Sequence, residues 1–149
     1  MNTGLTDTGF RATTPSDFPQ ALGMGKRILL VEDDPFVREI ASEILESAGC
    51  YVLKARDAAS AKAASEYRQI HLLITDVVLP GQNGCRLADD LRKNNPALKV
   101  ILMSGYPRNG ILEKIAADDG AVYLPKPFTA EALLKNVWQL LGNAGAVVI

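Results

Sequence analysis

Four apolar runs in this sequence each lead into a side chain that could take part in chemistry. Glu32 and Asp33 follow the first run, Asp76 follows another, Ser104 ends a third, and Lys126 comes just after a fourth. Carboxylates, a hydroxyl and an amine are the groups that bind a hard cation and a phosphoryl group. If the fold brings these residues together, the pattern indicates metal-assisted phosphoryl chemistry.

Each residue type suits a different part of that chemistry. Carboxylates that converge on one place repel one another unless a cation lies among them, and oxygen ligands alone favour Mg²⁺ (or Mn²⁺). Lys126 offers a point charge and Ser104 a hydrogen bond to the oxygens of a phosphoryl group. One carboxylate must then be the nucleophile. We expect that role for Asp76, which ends a central apolar run, and metal binding by Glu32 and Asp33.

The spacing of apolar residues predicts elements that would position this set. Short apolar runs predict strands over 27–31, 51–55, 71–75, 99–104 and 121–124. Helical spacing and capping residues predict helices from Asp34 to Gly49, from Asp57 to about Arg68, from about Cys85 to Asn94, weakly over 109–118, and from Thr129 to Gly142. Strands alternating with helices imply an α/β doubly wound, five-stranded parallel sheet covered on both faces. In such sheets ligands bind beyond the carboxyl ends of the strands, where the polar residues above would meet.

Length and composition limit the class of protein. The 149 residues suffice for one domain, which we expect over 26–142, with a flexible arm or linker over 1–25 and a tail over 143–149. A net charge of −1 argues against nucleic acid or a membrane surface as the partner. One histidine, His71, and two cysteines outside any Cys-x-x-Cys pair argue against a zinc site and a disulfide framework. We therefore expect a cytoplasmic protein.

Four motifs carry a resemblance to a known family. The segments "ILLVEDDPFVREI", "LLITDVVLPGQNG", "VILMSGYP" and "VYLPKPF" occur in this order between about residues 26 and 142. Together they resemble the receiver domain of two-component response regulators. The resemblance implies a flavodoxin-like (βα)5 fold with strand order 2-1-3-4-5. The pair "TDVVLPG" and "SGYP" also resembles receivers attached to hybrid histidine kinases, so a stand-alone receiver and a segment of such a kinase both stay open.

The resemblance implies a role for each matching residue. Asp76 would accept a phosphoryl group from a phosphohistidine on a histidine kinase or a histidine phosphotransfer protein. Asp33 would bind Mg²⁺ directly, Glu32 would assist, and the backbone carbonyl of Val78 would complete the protein ligands. Lys126 would contact the phosphoryl group, and its bond to the following proline would be cis.

The resemblance also implies a switch between two states. On phosphorylation Ser104 would move toward the phosphoryl group and Tyr123 would swing inward behind it, remodelling the surface of the fourth helix, fifth strand and fifth helix. The sequence departs from the family pattern in two places. Glu32 stands where many members have aspartate, and Tyr106-Pro107 with Gly110 predicts a short or mobile fourth helix.

Other functions fit the residues less well. An aspartyl phosphatase would need a second acid two positions after Asp76, where Val78 stands, and a flavin carrier would place its phosphate against the repelling Glu32 and Asp33. A pseudo-receiver that acts only by protein contact stays an alternative. We expect a signalling switch rather than an enzyme, a monomer or weak dimer, and no DNA binding, since we see no output domain after Gly142.

Overall fold

The computed structural model describes residues 25–106 and 110–142, in which strands and helices alternate. They are β1 (Arg27–Val31), α1 (Pro35–Ser47), β2 (Tyr51–Ala55), α2 (Ala58–Ser65), β3 (Leu72–Asp76), α3 (Gly84–Arg92), β4 (Lys99–Ser104), α4 (Ile111–Ala116), β5 (Ala121–Pro125) and α5 (Ala130–Leu141). All neighbouring strands pair in parallel, in the order β2-β1-β3-β4-β5. The doubly wound fold and the strand order that the resemblance implied are confirmed.

The inner strands are buried on both faces, which explains why they are apolar runs rather than alternating patterns. In β1, Ile28 and Leu30 belong to the core layer beneath α1 and α5. Leu29 and Val31 belong to the opposite layer, beneath α2 and α3. Because successive side chains of a strand point to opposite faces, a single strand supplies both layers of the core.

Strand β3 lies between β1 and β4 and is buried along its whole length. It runs one residue later than the predicted range of 71–75. His71 directly precedes it, with its N–H donating to the Arg27 carbonyl (3.0 Å) and its Nδ1 accepting a hydrogen bond from the N–H of Arg27 (2.9 Å). Asp76 is included, since it pairs with Met103 of β4. The sheet therefore holds the backbone of Asp76 in register.

Side chains fix the starts of the helices that flank the site. The Asp34 carboxylate accepts hydrogen bonds from the N–H groups of Phe36 and Val37, and Pro35 begins α1, as predicted. Thr129 caps α5 in the same way, with its hydroxyl accepting from Ala132 N–H (3.0 Å). The Asn83 cap of α3 was not predicted from the sequence.

Two helices are shorter than predicted. Helix α2 ends at Ser65 rather than near Arg68. The Ser65 hydroxyl donates to the Lys62 carbonyl, and Tyr67, at 83% exposure, does not pack against the core as a further helical turn would need to. Helix α4 spans six residues, begins after Gly110 at a φ of 85° with no side-chain cap, and has no buried residue. The prediction of a poor fourth helix is confirmed.

Some expectations concern residues that the structure does not describe. The tail over 143–149, Pro107 and the arm over 1–25, apart from Gly25, lie outside the described residues. Within the described ranges, no helix has both the length and the apolar character needed to cross a membrane.

Candidate functional site

The loop after β1 carries two carboxylates in different environments. Glu32 is 1% exposed, and both of its carboxylate oxygens have partners. Oε1 accepts from Lys126 Nζ (2.7 Å) and Oε2 accepts from the N–H of Asp34 (3.1 Å). Asp33 is exposed, and in the described part of the chain its carboxylate has no hydrogen-bond partner. Both carboxylates were predicted to bind the metal, and of the two only that of Asp33 could coordinate an ion without first losing a hydrogen bond to a described residue.

Asp76 lies at the carboxyl end of the central strand, opposite Lys126. The Asp76 residue is 6% exposed, and its Oδ1 lies 2.6 Å from Lys126 Nζ. The ammonium therefore contacts Glu32 and Asp76 at once. Lys126 follows the edge strand β5, and its peptide bond to Pro127 is cis, as the resemblance implied. The sequence separation between Lys126 and its two partners shows that only the completed sheet assembles this cluster.

The buried cluster shifts the pKa of its members. Burial raises the pKa of Asp76 to about 7, the neighbouring Glu32 carboxyl adds to the rise, and Lys126 opposes it. Burial acts to lower the pKa of Lys126, but its bonds to Asp76 and Glu32 outweigh burial and raise that pKa above its ordinary value. Two carboxylates share one ammonium, so the cluster retains an excess of negative charge that a further cation would neutralise.

The donor set fits a hard cation. Glu32, Asp33 and Asp76 each offer one carboxylate oxygen, and these three oxygens all lie within 4.8 Å of one another. No nitrogen or sulfur ligand belongs to this group, and oxygen-only sites with few protein ligands suit Mg²⁺. The side chains brought together by the fold are therefore those that the sequence predicted for the metal.

The loop after β3 passes close under Asp76. A side-chain atom added at Gly84 would lie 2.0 Å from the backbone carbonyl oxygen of Asp76 and 2.9 Å from the Thr75 methyl group. The Gly84 N–H also donates to the Val77 carbonyl (2.7 Å). The structure requires glycine at this position because α3 begins against the backbone of Asp76.

A cavity of about 520 Å³ opens in front of the carboxylate. Its lining includes Asp76 and Lys126, together with the residues Val78 and Tyr106, which are 57% and 88% exposed. The predicted role of Val78 concerns its backbone carbonyl, and the residue does lie at this cavity. The space opens the Asp76 carboxylate to solvent.

Ser104 and Tyr123 are linked through one stretch of backbone. The Ser104 hydroxyl donates to the carbonyl of Tyr106 (2.9 Å) and accepts from its N–H (3.0 Å), so it is engaged by its own turn. The hydroxyl of Tyr123 donates to the Ser104 carbonyl (2.7 Å). The pair predicted to form the switch is therefore connected, with Ser104 lining the same cavity as Asp76.

Two features of the site were missed by sequence reasoning. Arg38 reaches back from α1 and donates from Nη1 to the carbonyl of Glu32 (2.8 Å). Phe36 and Ile40, which share the helical spacing of the core residues, are 72% and 41% exposed, and Ile40 lines a cavity together with Phe128. For Arg38, the available signal in the sequence was an arginine six residues after Glu32. For Phe36 and Ile40, helical spacing alone could not distinguish buried from exposed apolar positions.

Comparison with known proteins agrees with this geometry. Residues 28–138 match the family model of the response regulator receiver domain. The chain is 34% identical over 116 residues to the sensor kinase CckA of Brucella abortus, covering 76% of this chain and 12% of CckA. It is 33% identical over 116 residues to the response regulator receiver protein CpdR of the same organism, covering 78% of this chain and 97% of CpdR.

The fold is also that of solved receiver structures. The crystal structure of the receiver domain from the hybrid histidine kinase CckA superposes with a TM-score of 0.66 and 34% identity, covering 77% of this chain and 98% of that one. The chain thus spans nearly all of CpdR and of the isolated CckA receiver, but a small share of the CckA kinase. With a family model matched over most of its length, the acidic cluster beside Lys126 and the β2-β1-β3-β4-β5 sheet, this chain belongs to the receiver domain family of two-component response regulators.

Proposed function

We propose that Asp76 accepts a phosphoryl group from a phosphohistidine of a partner protein, and that this modification switches a protein-binding surface. The observation that carries the proposal is the position of Lys126 Nζ, 2.6 Å from the Asp76 carboxylate inside an acidic cluster. An ammonium at that place contacts the oxygens of a phosphoryl group on Asp76 without a large movement.

The residues of the cluster divide the reaction between them. A carboxylate oxygen of Asp76 attacks phosphorus, the bond from phosphorus to the donor nitrogen breaks, and that nitrogen keeps the electron pair. Lys126 stabilises the negative charge on the phosphoryl oxygens. Asp33 and Asp76, with the carbonyl of Val78, are the proposed ligands of Mg²⁺, which when bound reduces the repulsion between the carboxylate and the incoming phosphoryl group.

The contacts of Glu32 support the assisting role that the resemblance implied. Its two oxygens are bound by Lys126 and by the N–H of Asp34, so it orients Lys126 in the metal-free protein. We propose that Glu32 assists the metal from outside its direct ligand set.

The conformational switch would begin at Ser104. Its hydroxyl must leave both backbone groups of Tyr106 before it can bond to a phosphoryl oxygen. Because the Ser104 carbonyl also accepts from Tyr123, a movement of Ser104 alters the bond that holds this aromatic side chain. The switch proposal thus connects the phosphoacceptor to β5 and to the weakly packed α4.

An apolar surface beside the site supports a protein as phosphoryl donor. Val37, Ile40, Pro127 and Phe128 line a cavity of about 370 Å³ that also includes Lys126. A small phosphodonor would not need such a surface, whereas a protein that presents a histidine would bury it. Since relatives include both a receiver protein and a sensor kinase, the donor is a separate kinase, a phosphotransfer protein or a kinase on the same chain.

Mass spectrometry of the intact protein tests the proposal. With Mg²⁺ and acetyl phosphate, the wild-type protein should gain one phosphoryl group, and Asp76→Asn should gain none. Asp90→Asn is the matched control, because Asp90 is an aspartate held by surface cations away from the cluster. A wild-type protein that neither gains the adduct nor binds Mg²⁺ would instead be a pseudo-receiver, and steady release of inorganic phosphate from a phosphomonoester would indicate a phosphatase.

A further inference from the structure

The peptide group between Glu32 and Asp33 is held by a residue outside the acidic cluster. The N–H of Glu32 donates to the carbonyl of Ala55 (3.0 Å), just past the last pair of the β1–β2 ladder. The carbonyl of Glu32 accepts from Arg38 Nη1 (2.8 Å). Because Glu32 is 1% exposed, water cannot readily replace this donor. Both ends of the residue that precedes Asp33 are therefore fixed.

The orientation of Asp33 depends on that peptide group. A peptide group is planar, so the position of the Glu32 carbonyl also sets the direction in which the chain enters Asp33. The Asp33 carboxylate has no hydrogen bond or ion pair of its own among the described residues. Its place within 4.8 Å of the oxygens of Glu32 and Asp76 therefore depends on the backbone that carries it.

Arg38 is well placed to fix this geometry. It is the fourth residue of α1, and its own N–H donates to the Asp34 carbonyl (2.9 Å) in the first turn of the helix. Farther along, α1 is anchored in the core by Ala41 and Leu45. Within the described part of the chain, the Glu32 carbonyl is the only hydrogen-bond partner of the guanidinium. A charged donor on an anchored helix gives a strong bond, and its charge also reduces repulsion among the carboxylates.

We propose that Arg38 is a positioning residue for divalent metal binding: it holds the Glu32 carbonyl and thereby presents the Asp33 carboxylate to Mg²⁺. This inference rests on the proposed function, since it concerns the metal of the same site. It assigns no direct contact with the metal or the phosphoryl group to Arg38. Groups that orient metal ligands in this way typically contribute 10–100-fold to affinity.

Isothermal titration with Mg²⁺ tests the proposal on the full chain. Arg38→Met keeps the length of the side chain but removes the donor and the charge, and should weaken Mg²⁺ binding by about tenfold or more. Arg38→Lys retains a charged donor and should recover most of the affinity. Arg86→Met is the matched control, because Arg86 is an arginine of α3 whose ion pair with Asp90 lies apart from the cluster.

Thermal unfolding separates positioning from a purely structural role. If Arg38 only stabilised the fold, Arg38→Met would lower the unfolding temperature by the same amount with and without Mg²⁺. Positioning instead predicts that the rise in unfolding temperature caused by Mg²⁺ becomes smaller in Arg38→Met, because the folded state binds the ion less tightly.

Three results would count against the proposal. A folded Arg38→Met protein that binds Mg²⁺ like the wild type overturns it, while the proposed function stands if wild type is still phosphorylated on Asp76. If Arg38→Met does not fold, Arg38→Gln takes its place, since it also removes the charge and shortens the side chain. An unchanged Mg²⁺ affinity in Arg38→Gln overturns the proposal as well. Absence of Mg²⁺ binding to the wild type would overturn both this inference and the metal in the proposed function.

Discussion

The two sides of the site differ in how firmly they are held. On the side of β1 and β3, Glu32 and Asp76 are almost fully buried and share Lys126. Helix α1 on this side spans thirteen residues, begins with a proline and a side-chain cap, and has three buried residues. On the side of β4 and α4, Ser104 is bonded to its own turn, and the six-residue α4 has neither a side-chain cap nor a buried residue.

This difference suits a site that must bind and also respond. Carboxylates meant for a metal gain affinity when their geometry is fixed before the ion arrives. A segment that must move is better drawn from the least stable part of a domain, because a small free energy then suffices to shift it. We therefore expect substitutions in the β1–β3 side to change stability strongly, and the same substitutions near α4 to have little effect.

The largest effect should come from adding a methyl group to a glycine on each side. Gly84→Ala places the new atom 2.0 Å from the Asp76 carbonyl, a backbone atom that cannot move aside. We expect a loss of about 3 kcal/mol or more in the free energy of unfolding, from urea titration. Gly105→Ala, where no atom lies within 4 Å of the added group, should change it by less than about 0.5 kcal/mol. Equal losses in the two variants would remove the contrast between the sides.

Removal of a lysine charge on each side should give the next largest effect. Lys126→Met leaves the Glu32 and Asp76 carboxylates buried without a counterion, and breaking a buried pair costs about 3–5 kcal/mol. Because a quarter of the Lys126 side chain is exposed, we expect about 2 kcal/mol in urea unfolding of the metal-free protein. Lys114→Met breaks the exposed pair with Asp89 next to α4, and should cost less than about 0.5 kcal/mol. A larger loss in Lys114→Met would contradict our assignment of the rigid side.

A buried hydroxyl shows that the rigid side is not optimised for stability alone. Ser42 of α1 is 1% exposed, and its hydroxyl has no hydrogen-bond partner among the described residues. Ser42→Ala removes an unsatisfied polar group and favours the helix, so it should raise the free energy of unfolding by about 0.5–1 kcal/mol. Ser47→Ala, at the exposed end of the same helix, serves as the control and should not stabilise the protein. A loss of stability in Ser42→Ala would indicate an unrecognised role for the hydroxyl.

The smallest effect concerns the pH dependence of stability. It comes from His71, which lies at the amino ends of the strands, away from the site. Burial lowers the pKa of His71, and the charges of Lys26 and Arg27 lower it further, while its Nδ1 accepts the Arg27 N–H. The unfolded state therefore binds a proton more readily than the folded state, so this contribution to stability is present above a pH of about 6.5 and is lost as pH falls through the lower folded pKa. Compared with His71→Gln, the wild type should lose stability between about pH 7 and pH 5. A difference between the two proteins that does not change with pH would contradict this.

Most of the fold could be predicted because its signals are local. The ranges of β1, β2 and β4 match the predicted strands, since each is an apolar run bounded by polar residues. The Asp34 and Thr129 caps are likewise determined by their immediate neighbours. The end of α2 was less predictable, because an alanine-rich segment can continue as a helix until a side chain such as that of Ser65 turns back to the backbone.

The sequence predicted which residues form the candidate site but not which hydrogen bonds and ion pairs they make with one another. Glu32, Asp33, Asp76 and Lys126 meet because parallel strands end at one edge, a rule that needs no coordinates. That Glu32 binds Lys126 depends on distances across the finished sheet, as does the contact of Arg38 with a backbone carbonyl. The exposure of Phe36 depends on which side of α1 the neighbouring elements cover, and helical spacing does not encode that.

The position of Lys126 has a further consequence for the energetics of modification. Its ammonium already lies between two carboxylates, 2.6 Å and 2.7 Å away, before any phosphoryl group is present. The proposed attachment of a phosphoryl group to Asp76 would change which oxygens receive that charge but would not require a cation to be brought in and desolvated. Most of the reorganisation that would be needed to place a cation beside the phosphorylated side chain would therefore already have occurred when the protein folds.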